Sequence, residues 1–236
     1  MTEARSPEAT SPASPRDRLL QAAREVVAAD GLEGLTLRAI ARHAGVSHGA
    51  PLRHFPSLAA LLAAVAADGF TRLMASIDTR LAEADEAAAH AGATLGGRER
   101  LAVAGRAYVE FALADPGVFS VTFRPERVDV TDDDYLRQGM ASFAQLVGLV
   151  EAAQADGWHA GRPAADLAAV LWANVHGLAV LALHGALPAV VGADAMGRLP
   201  ALSALLTLGV DPAGTGAPGG TSDDPSTPST NERRRR

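Results

Sequence analysis

Hydroxyl and basic side chains gather at two predicted helix starts within residues 36–54. Thr36 precedes the first of these helices, where its hydroxyl and the free backbone amides can bind a phosphate oxygen. Arg53 lies in the second helix and is a candidate phosphate contact. Small side chains at the start of the second helix would let its backbone approach the edges of bases. The predicted nucleic-acid contacts from this second start are Ser47, His48, Gly49, Ala50 and Pro51.

The two helices are joined by a short turn that contains glycine. The first helix carries apolar residues at Leu37, Ile40, Ala41 and Ala44 and stops at Gly45. Two short helices joined in this way form a helix-turn-helix, which places its second helix in the major groove of DNA. The sequence therefore predicts a DNA-binding unit near the N-terminus, in which Phe55, after the second helix, is a core residue rather than a contact.

The distribution of charge agrees with this prediction. Residues 14–60 contain six Arg and four acidic residues, a net charge of +2, whereas the whole chain carries −6. Only the electrostatic field near the helix that contacts DNA must attract phosphate. A basic N-terminal unit on an acidic body is therefore compatible with DNA binding. The chain contains no Cys, which excludes disulfides and thiolate metal sites and fits the cytoplasmic location that we expect.

The pattern of apolar residues predicts helices throughout. Ala and Leu are abundant, strand-like alternation is not found, and capping residues mark helix starts at Ser14, Thr36, Ser47, Ser57 and Thr131. We therefore expect an all-α fold. The predicted helices cover residues 15–30, 37–44, a short stretch that follows Ser47, 58–81, 98–114, 117–123, 132–156, 163–187 and 193–208, with a frayed stretch at 82–97.

Composition divides the chain into four predicted parts. Residues 1–13 are predicted to be a disordered N-terminal segment, and residues 14–60 a three-helix DNA-binding domain. Residues 61–208 form a larger helical domain for ligand binding and dimerisation. Residues 209–236, which are rich in Gly, Pro, Ser and Thr and end in four Arg, read as a disordered tail.

The larger domain has few large or polar-tipped side chains among its Ala, Leu and Val. A mostly apolar pocket with a few polar anchors is the usual form of a small-molecule site, although aromatic residues at helical spacing also occur as plain core. A metal site shared by His176 and His184 is disfavoured, because the pair is widely spaced and lacks a third ligand. We expect neither a metal nor a cofactor. The candidate ligand-binding residues are Tyr108, Phe111, Phe119, Phe123, Trp172 and His176.

Two regions of the sequence resemble the TetR family of bacterial transcriptional regulators. The N-terminal runs are DRLLQAAREVVAADG, LTLRAIARHAGVS and HGAPLRHF, and the C-terminal runs YVEFALADPGVF and WANVHG resemble the Trp-His-Gly type of ligand-binding domain. The resemblance covers roughly residues 15–190. It implies a repressor that binds a palindromic operator as a homodimer and that a small-molecule effector releases from DNA. By the same resemblance, Arg38 reaches a base or phosphate and His54 meets the DNA backbone.

Two positions depart from the family pattern. Leu52 stands where the family usually has Tyr, and Leu58 where it usually has Lys; both are usually phosphate contacts. Because leucine offers neither a hydrogen bond nor a charge, binding to DNA is expected to be weaker and less dependent on salt. A decayed homologue that binds a ligand or protein, but DNA only weakly, is therefore the alternative function.

The sequence disfavours two other classes of protein, a helical enzyme and a membrane protein. A helical enzyme is disfavoured, since GxSxG, HExxH, P-loop and Rossmann motifs are all missing from the sequence. A membrane span is disfavoured for the uncharged stretch at residues 167–183, which is short and contains Asn174 and His176. Burial of that helix against the core and a partner subunit explains its composition equally well.

Overall fold

The computed structural model describes residues 14–47, 49–199 and 201–202. These residues form helices and connecting turns, without a strand among them, so the predicted all-α class is confirmed. The helices are α1 Pro15–Asp30, α2 Leu37–His43, α3 Ala50–His54, α4 Leu58–His90, α5 Gly97–Ala114, α6 Pro116–Thr122, α7 Asp133–Ala155, α8 Ala164–Leu183 and α9 Ala186–Val191. Short 3-10 turns follow α6 at Pro125–Arg127 and α9 at Ala193–Met196.

Helices α1 to α3 form an N-terminal unit, here called the head. Its start is fixed by a capping box: the Ser14 hydroxyl accepts a hydrogen bond from the Asp17 amide at 3.1 Å, and the Asp17 carboxylate accepts one from the Ser14 amide at 3.3 Å. Leu19 and Val27 on one side of α1 are fully buried, as is Ile40 of α2. Phe55 closes this small core, as the sequence predicted.

The remaining helices, α4 to α9, form the part here called the body, and α4 joins it to the head. Leu61 and Leu62 near its start are fully buried, and so is Leu73 further along. Helix α4 packs on α1 and also on α5, α6 and α7, while α5 packs on α7 and α8. One continuous core therefore runs from the head into the body. The predicted boundary at residue 60 lies within α4, so the two parts share a helix.

Helix α4 is longer than the sequence prediction, which ended it near Leu81 and left residues 82–97 frayed. The helix continues to His90 and stops before Gly92, whose φ is +71°. Ala and Glu dominate the added turns and have high helix propensity. Asp85 in this stretch also pairs with Arg100 of α5 at 2.5 Å, which holds the end of α4 against the body.

Two other predicted limits were wrong for local reasons. Helix α7 is capped by Asp132, whose carboxylate accepts from the amides of Asp134 and Tyr135, rather than by Thr131. Helix α8 ends at Leu183 instead of residue 187, because Gly185 adopts a left-handed conformation with φ +68°. The chain then forms the unpredicted α9. Of the predicted helix at 193–208, residues 203–208 lie outside the described residues, as do residues 1–13 and the tail at 209–236.

Two helices, α4 and α8, are long and apolar enough to cross a membrane by length and composition alone. A core helix of a globular protein passes the same test. More than half of the most apolar window of α4 is buried inside the protein, which accounts for its composition. The corresponding window of α8 is only 33% buried, so α8 keeps an apolar face without a partner in the monomer.

Helices α5 and α7 touch closely at Gly97. A Cβ atom there would lie 2.4 Å from the Ala153 Cα, and the Gly97 amide donates to the Asp156 carboxylate at 2.6 Å. We expect Gly97→Ala to lower the free energy of unfolding by about 1–3 kcal/mol, because the backbone of α7 must move. Urea denaturation followed by circular dichroism measures the change. Gly148→Ala in α7, where nothing lies within 4 Å, is the matched control and should be neutral or stabilising.

Candidate nucleic-acid interface and internal cavity

The start of α2 presents a polar side chain and a cation to solvent. The Thr36 hydroxyl caps the helix by accepting a hydrogen bond from the Ala39 amide at 3.1 Å. Arg38, in the first turn, is exposed. The free amides of a helix N-terminus favour an anion, so this end of α2 could hold a DNA phosphate beside the Arg38 guanidinium.

The turn between α2 and α3 differs in detail from the sequence prediction. Gly45 takes φ +64°, and α3 begins at Ala50 with Gly49 as its N-cap, so Ser47 does not cap it. The start is displaced because Pro51, which has no amide hydrogen, is acceptable only in the first turn of a helix. Instead, the Ser47 carbonyl accepts a hydrogen bond from the Ala50 amide at 2.9 Å.

The predicted contacts of the second helix separate into exposed and buried groups. Ser47, Gly49, Arg53 and His54 are exposed, and Ala50 is half-buried. Pro51 is fully buried in the head, which corrects its assignment as a contact to a base, because its side chain cannot be reached from outside. His48 lies outside the described residues.

The cations of the head differ in their partners. Arg24 on α1 pairs with Asp68 of α4 at 2.5 Å, which ties head to body. In contrast, Arg38, Arg42 and Arg53 form no ion pair with a carboxylate of the described chain. These three guanidinium groups are therefore available to an external anion such as phosphate.

A second charged contact lies on the outside of the head. His43 Nε2 lies 2.7 Å from a carboxylate oxygen of Glu25. Hydrogen bonds from the Gln21 amide and from His43 lower the pKa of Glu25 below its ordinary value. The pair is exposed, so it contributes little to folding.

The body contains a large apolar cavity of about 1210 Å³, open on one side, between α4, α5, α7 and α8. This volume exceeds the usual 300–1,000 Å³ of a small-molecule pocket, so an elongated or polycyclic molecule fits it. Four predicted ligand-binding residues line the cavity: Tyr108, Phe123, Trp172 and His176.

The polar feature of this cavity is a hydrogen-bonded pair. The Tyr108 hydroxyl lies 2.8 Å from Nδ1 of His176. Burial raises the pKa of Tyr108 and lowers the pKa of His176, so both side chains are held in their uncharged forms near neutral pH. The rings of Phe123 and Phe119 lie 5.0 and 5.4 Å from the His176 ring and fix its orientation.

The other two predicted ligand-binding residues lie outside the cavity lining. Phe119 is buried behind it, stacked on His176 at an interplanar angle of 26°. Phe111 is a core residue whose ring lies 5.9 Å from the Arg72 guanidinium, so its assignment to the ligand site is corrected. Both errors arise because spacing along a helix does not tell which neighbour each face meets.

Sequence reasoning missed the contribution of α4 and α7. Phe70 of α4 and Tyr135, Met140 and Phe143 of α7 line the cavity. Only Val150 and Ala153 of α7 are fully buried, although the helix carries many apolar residues along its length. An apolar helix that buries so little of itself is a signal for a cavity wall, and it is visible only once burial is known.

Helix α6 connects the cavity with the head. Its Phe119 and Thr122 lie at the cavity side, while Gly117 near its start packs on the backbone of α1, where a Cβ would lie 2.9 Å from the Ala28 amide nitrogen. Arg127, just after α6, donates to the Leu32 carbonyl at 2.7 Å. The head is therefore in direct contact with an element that borders the cavity.

Comparison with known proteins agrees with this arrangement. Residues 19–65 match the model for bacterial regulatory proteins of the tetR family, and residues 101–199 match the tetracyclin repressor-like C-terminal domain. The two matches fall on the helix-turn-helix and on the body that holds the cavity. A search of curated proteins finds no match.

Solved structures share the fold over most of the chain. A protein of unknown function from Rhodococcus sp. RHA1 is 34% identical, with a TM-score of 0.69 over 86% of this chain and 98% of that one. The fatty acid degradation regulator FadR from Bacillus halodurans is 14% identical, with a TM-score of 0.63 over 84% and 97%. A TetR family transcription regulator from Marinobacter aquaeolei VT8 is 15% identical, with a TM-score of 0.60 over 82% and 93%. With a matching helix-turn-helix and a matching C-terminal domain, the chain belongs to the TetR family of DNA-binding transcription regulators.

Proposed function

We propose that this regulator represses transcription as a homodimer that binds a palindromic operator and is released by a small molecule bound in the body. The observation that carries the proposal is α6, which touches both the cavity and the backbone of α1 at Ala28. An effector that changes the position of α6 would change the placement of the head. It can do so only to the extent that it binds the two arrangements with different affinity.

The contacts proposed for DNA are the exposed groups at the starts of α2 and α3. Thr36 and the amides of α2 would hold a phosphate, and Arg38 would reach a base or a neighbouring phosphate. At α3, the exposed Gly49 and half-buried Ala50 would allow close approach, and Arg53 and His54 would contact the backbone. Exposed Ser47 adds a hydroxyl donor at the turn.

Selection of bound sequences from random double-stranded DNA tests this function. The purified protein should enrich an inverted repeat whose half-sites lie about 34 Å apart, one helical turn, because a twofold dimer requires matching symmetry in its target. Arg38→Ala should weaken binding to that sequence at least roughly tenfold, since an Arg–guanine pair is worth about 1–3 kcal/mol.

Arg106→Ala, an exposed arginine of α5, is the matched control and should bind like the wild-type protein. Circular dichroism establishes that both variants keep the fold. Recovery of no repeat, or unchanged affinity of a folded Arg38→Ala, would contradict the proposed DNA contacts.

One observation favours the alternative of a homologue with weak DNA binding. Leu52, on α3, is 61% exposed, and Leu58, at the first position of α4, is partly exposed. Leu52 faces outward, whereas Leu58 packs partly on the core and leaves the rest of its side chain exposed; at both positions a hydroxyl or ammonium group would suit a phosphate better than leucine. The salt dependence of DNA binding distinguishes a protein that has lost phosphate contacts from one that makes them with other residues, because each phosphate contact adds to the salt dependence.

We expect the double variant Leu52→Tyr, Leu58→Lys to tighten DNA binding. The added cation should also steepen the dependence of log K on log salt by about 0.9 for each new phosphate contact. Fluorescence anisotropy over a range of salt concentrations measures both quantities. The matched control, Leu52→Tyr with Leu58→Met, restores the hydroxyl without a cation and should leave the slope unchanged. Equal slopes for the two variants would mean that residue 58 does not face DNA.

The dimer is proposed to form along the apolar face that α8 leaves without a partner. Val170, Ala173, Gly177 and Leu181 lie on one side of the helix by their spacing, and Val170 and Leu181 are each 47% exposed. A twofold axis would place the same face of a second copy against it, and Gly177, with nothing within 4 Å, would let the two backbones approach.

Leu181→Arg should convert the dimer into a monomer, because the dimer interface would have to bury an unpaired charge. Sedimentation velocity at micromolar concentration measures the state of association. Ala87→Arg, on an exposed part of α4, is the control and should remain dimeric. A wild-type protein that sediments as a monomer would refute the dimer and the two-headed mode of binding.

A further inference from the structure

The charge of the cavity wall restricts what can bind there. Among the described residues that line it, Glu151 is the only Asp, Glu, Lys or Arg, and its side chain is exposed. The walls are otherwise aromatic and aliphatic, with Ser142, Gln145 and Thr122 as small polar groups. No guanidinium group of this lining is available to neutralise an acid.

An anionic ligand would therefore be buried without a counter-charge. Moving a carboxylate out of water into such a site costs several kcal/mol unless a cation or several donors receive it. The one charged residue of the described lining, Glu151, would repel it. A carboxylate or phosphate at the buried end of the cavity is excluded on this ground.

A cationic ligand meets a different obstacle. Aromatic rings attract cations, and a carboxylate beside them would strengthen the attraction. On α7, the carboxylate and the phenyl ring of the lining are apart: Glu151 is eight residues beyond Phe143, about 12 Å along the helix at 1.5 Å per residue. A cation against Phe143 would therefore leave water without a carboxylate of the lining beside it, which favours an uncharged ligand over an ammonium group.

The Tyr108–His176 pair supplies one hydrogen-bond donor, whichever ring nitrogen of His176 carries the proton. If Nδ1 is unprotonated, it accepts from the Tyr108 hydroxyl, and the Nε2 hydrogen remains. If Nδ1 carries the hydrogen, it donates to the Tyr108 oxygen, and the hydroxyl hydrogen remains. The two side chains hold two polar hydrogens, and their mutual bond uses one.

We propose that the cavity binds an uncharged, largely apolar molecule with a hydrogen-bond acceptor, such as a ketone or ester carbonyl, that receives the remaining hydrogen of the Tyr108–His176 pair. The regulatory meaning of this ligand class rests on the proposed function, whereas its binding can be measured without DNA. The volume of about 1210 Å³ leaves room for an extended alkyl or polycyclic portion against Phe70 and Phe143.

Three ligands that share a ten-carbon alkyl chain and differ in their head groups test the proposal. The fluorescent amine N-phenyl-1-naphthylamine, uncharged at pH 8, serves as the reporter. The competitors are methyl decanoate below its solubility limit, and decanoate and decyltrimethylammonium below their critical micelle concentrations. We expect the ester to bind at least tenfold more tightly than either ion. Equal or tighter binding of decanoate or of the ammonium compound, or no competition by the ester, would overturn the proposal.

Variants test the assigned groups. Tyr108→Phe with His176→Leu removes both polar hydrogens and should weaken the ester about three- to tenfold while the reporter binds as before. Equal loss of ester and reporter would mean that the pair only supports the fold, and unchanged ester affinity would remove the pair from recognition. Met140→Arg, on the exposed rim, should raise the affinity for decanoate at least fivefold, whereas the matched Met140→Gln should not.

The same ligands added to the protein–operator complex separate this inference from the proposed function. An ester that displaces the reporter but leaves the operator bound refutes release by this ligand and supports the ligand class. Decanoate that releases the operator more effectively than the ester supports ligand-controlled release and refutes the class assigned here.

Discussion

The close contact of α6 with two other helices is the constraint on which the arrangement depends. Gly69 of α4 leaves the space that the Thr122 hydroxyl fills, since a Cβ there would lie 2.1 Å from that oxygen. Thr122 is fully buried, and its hydroxyl donates to the Val118 carbonyl at 2.8 Å, so the contact leaves no polar group unsatisfied. Gly117 makes a similar approach to α1. At Gly117 backbone meets backbone, and at Gly69 the side chains of α6 lie directly on the backbone of α4, so α6 cannot shift without moving α1 or α4.

This rigidity suits the proposed regulation. In the proposed regulation, Phe123, which borders the cavity, and Phe119, which stacks on His176, would transmit a change in the cavity to α6. A ligand that displaced these rings would act on a close-packed contact rather than on a flexible linker. The head would then respond through Ala28 and through the hydrogen bond of Arg127 to the Leu32 carbonyl. The size of the response is limited by the difference in ligand affinity between the two arrangements.

Local chemistry explains which parts of the fold could be predicted from sequence. Ser14, Thr36 and Ser57 each cap a helix through the amide three residues on, so these starts were readable from residue type and position. The extension of α4 to His90 depended on its contacts with α5, and the end of α8 on the left-handed Gly185, neither of which has a unique pattern in the sequence. Only part of the cavity lining was predicted, because residue type can be read from the sequence and helix crossing cannot. Tyr108 and His176 stood out by type, whereas Phe70 and the residues of α7 required knowledge of how helices cross.

The arginines show how an acidic chain can still present a basic surface. Every cation of the chain other than histidine is a guanidinium, which pairs readily with carboxylates, so free acids would compete with DNA for it. In the body, arginines form ion pairs with carboxylates: Arg72 pairs with Asp115 at 2.9 Å and Arg80 with Glu110 at 3.0 Å. In the head, Arg38 and Arg53 have no such partner in the described chain. Carboxylates that are paired within the body do not compete with DNA for the arginines of the head. The fold makes no use of these two guanidinium groups in an ion pair, so both are left for an external anion such as a DNA phosphate.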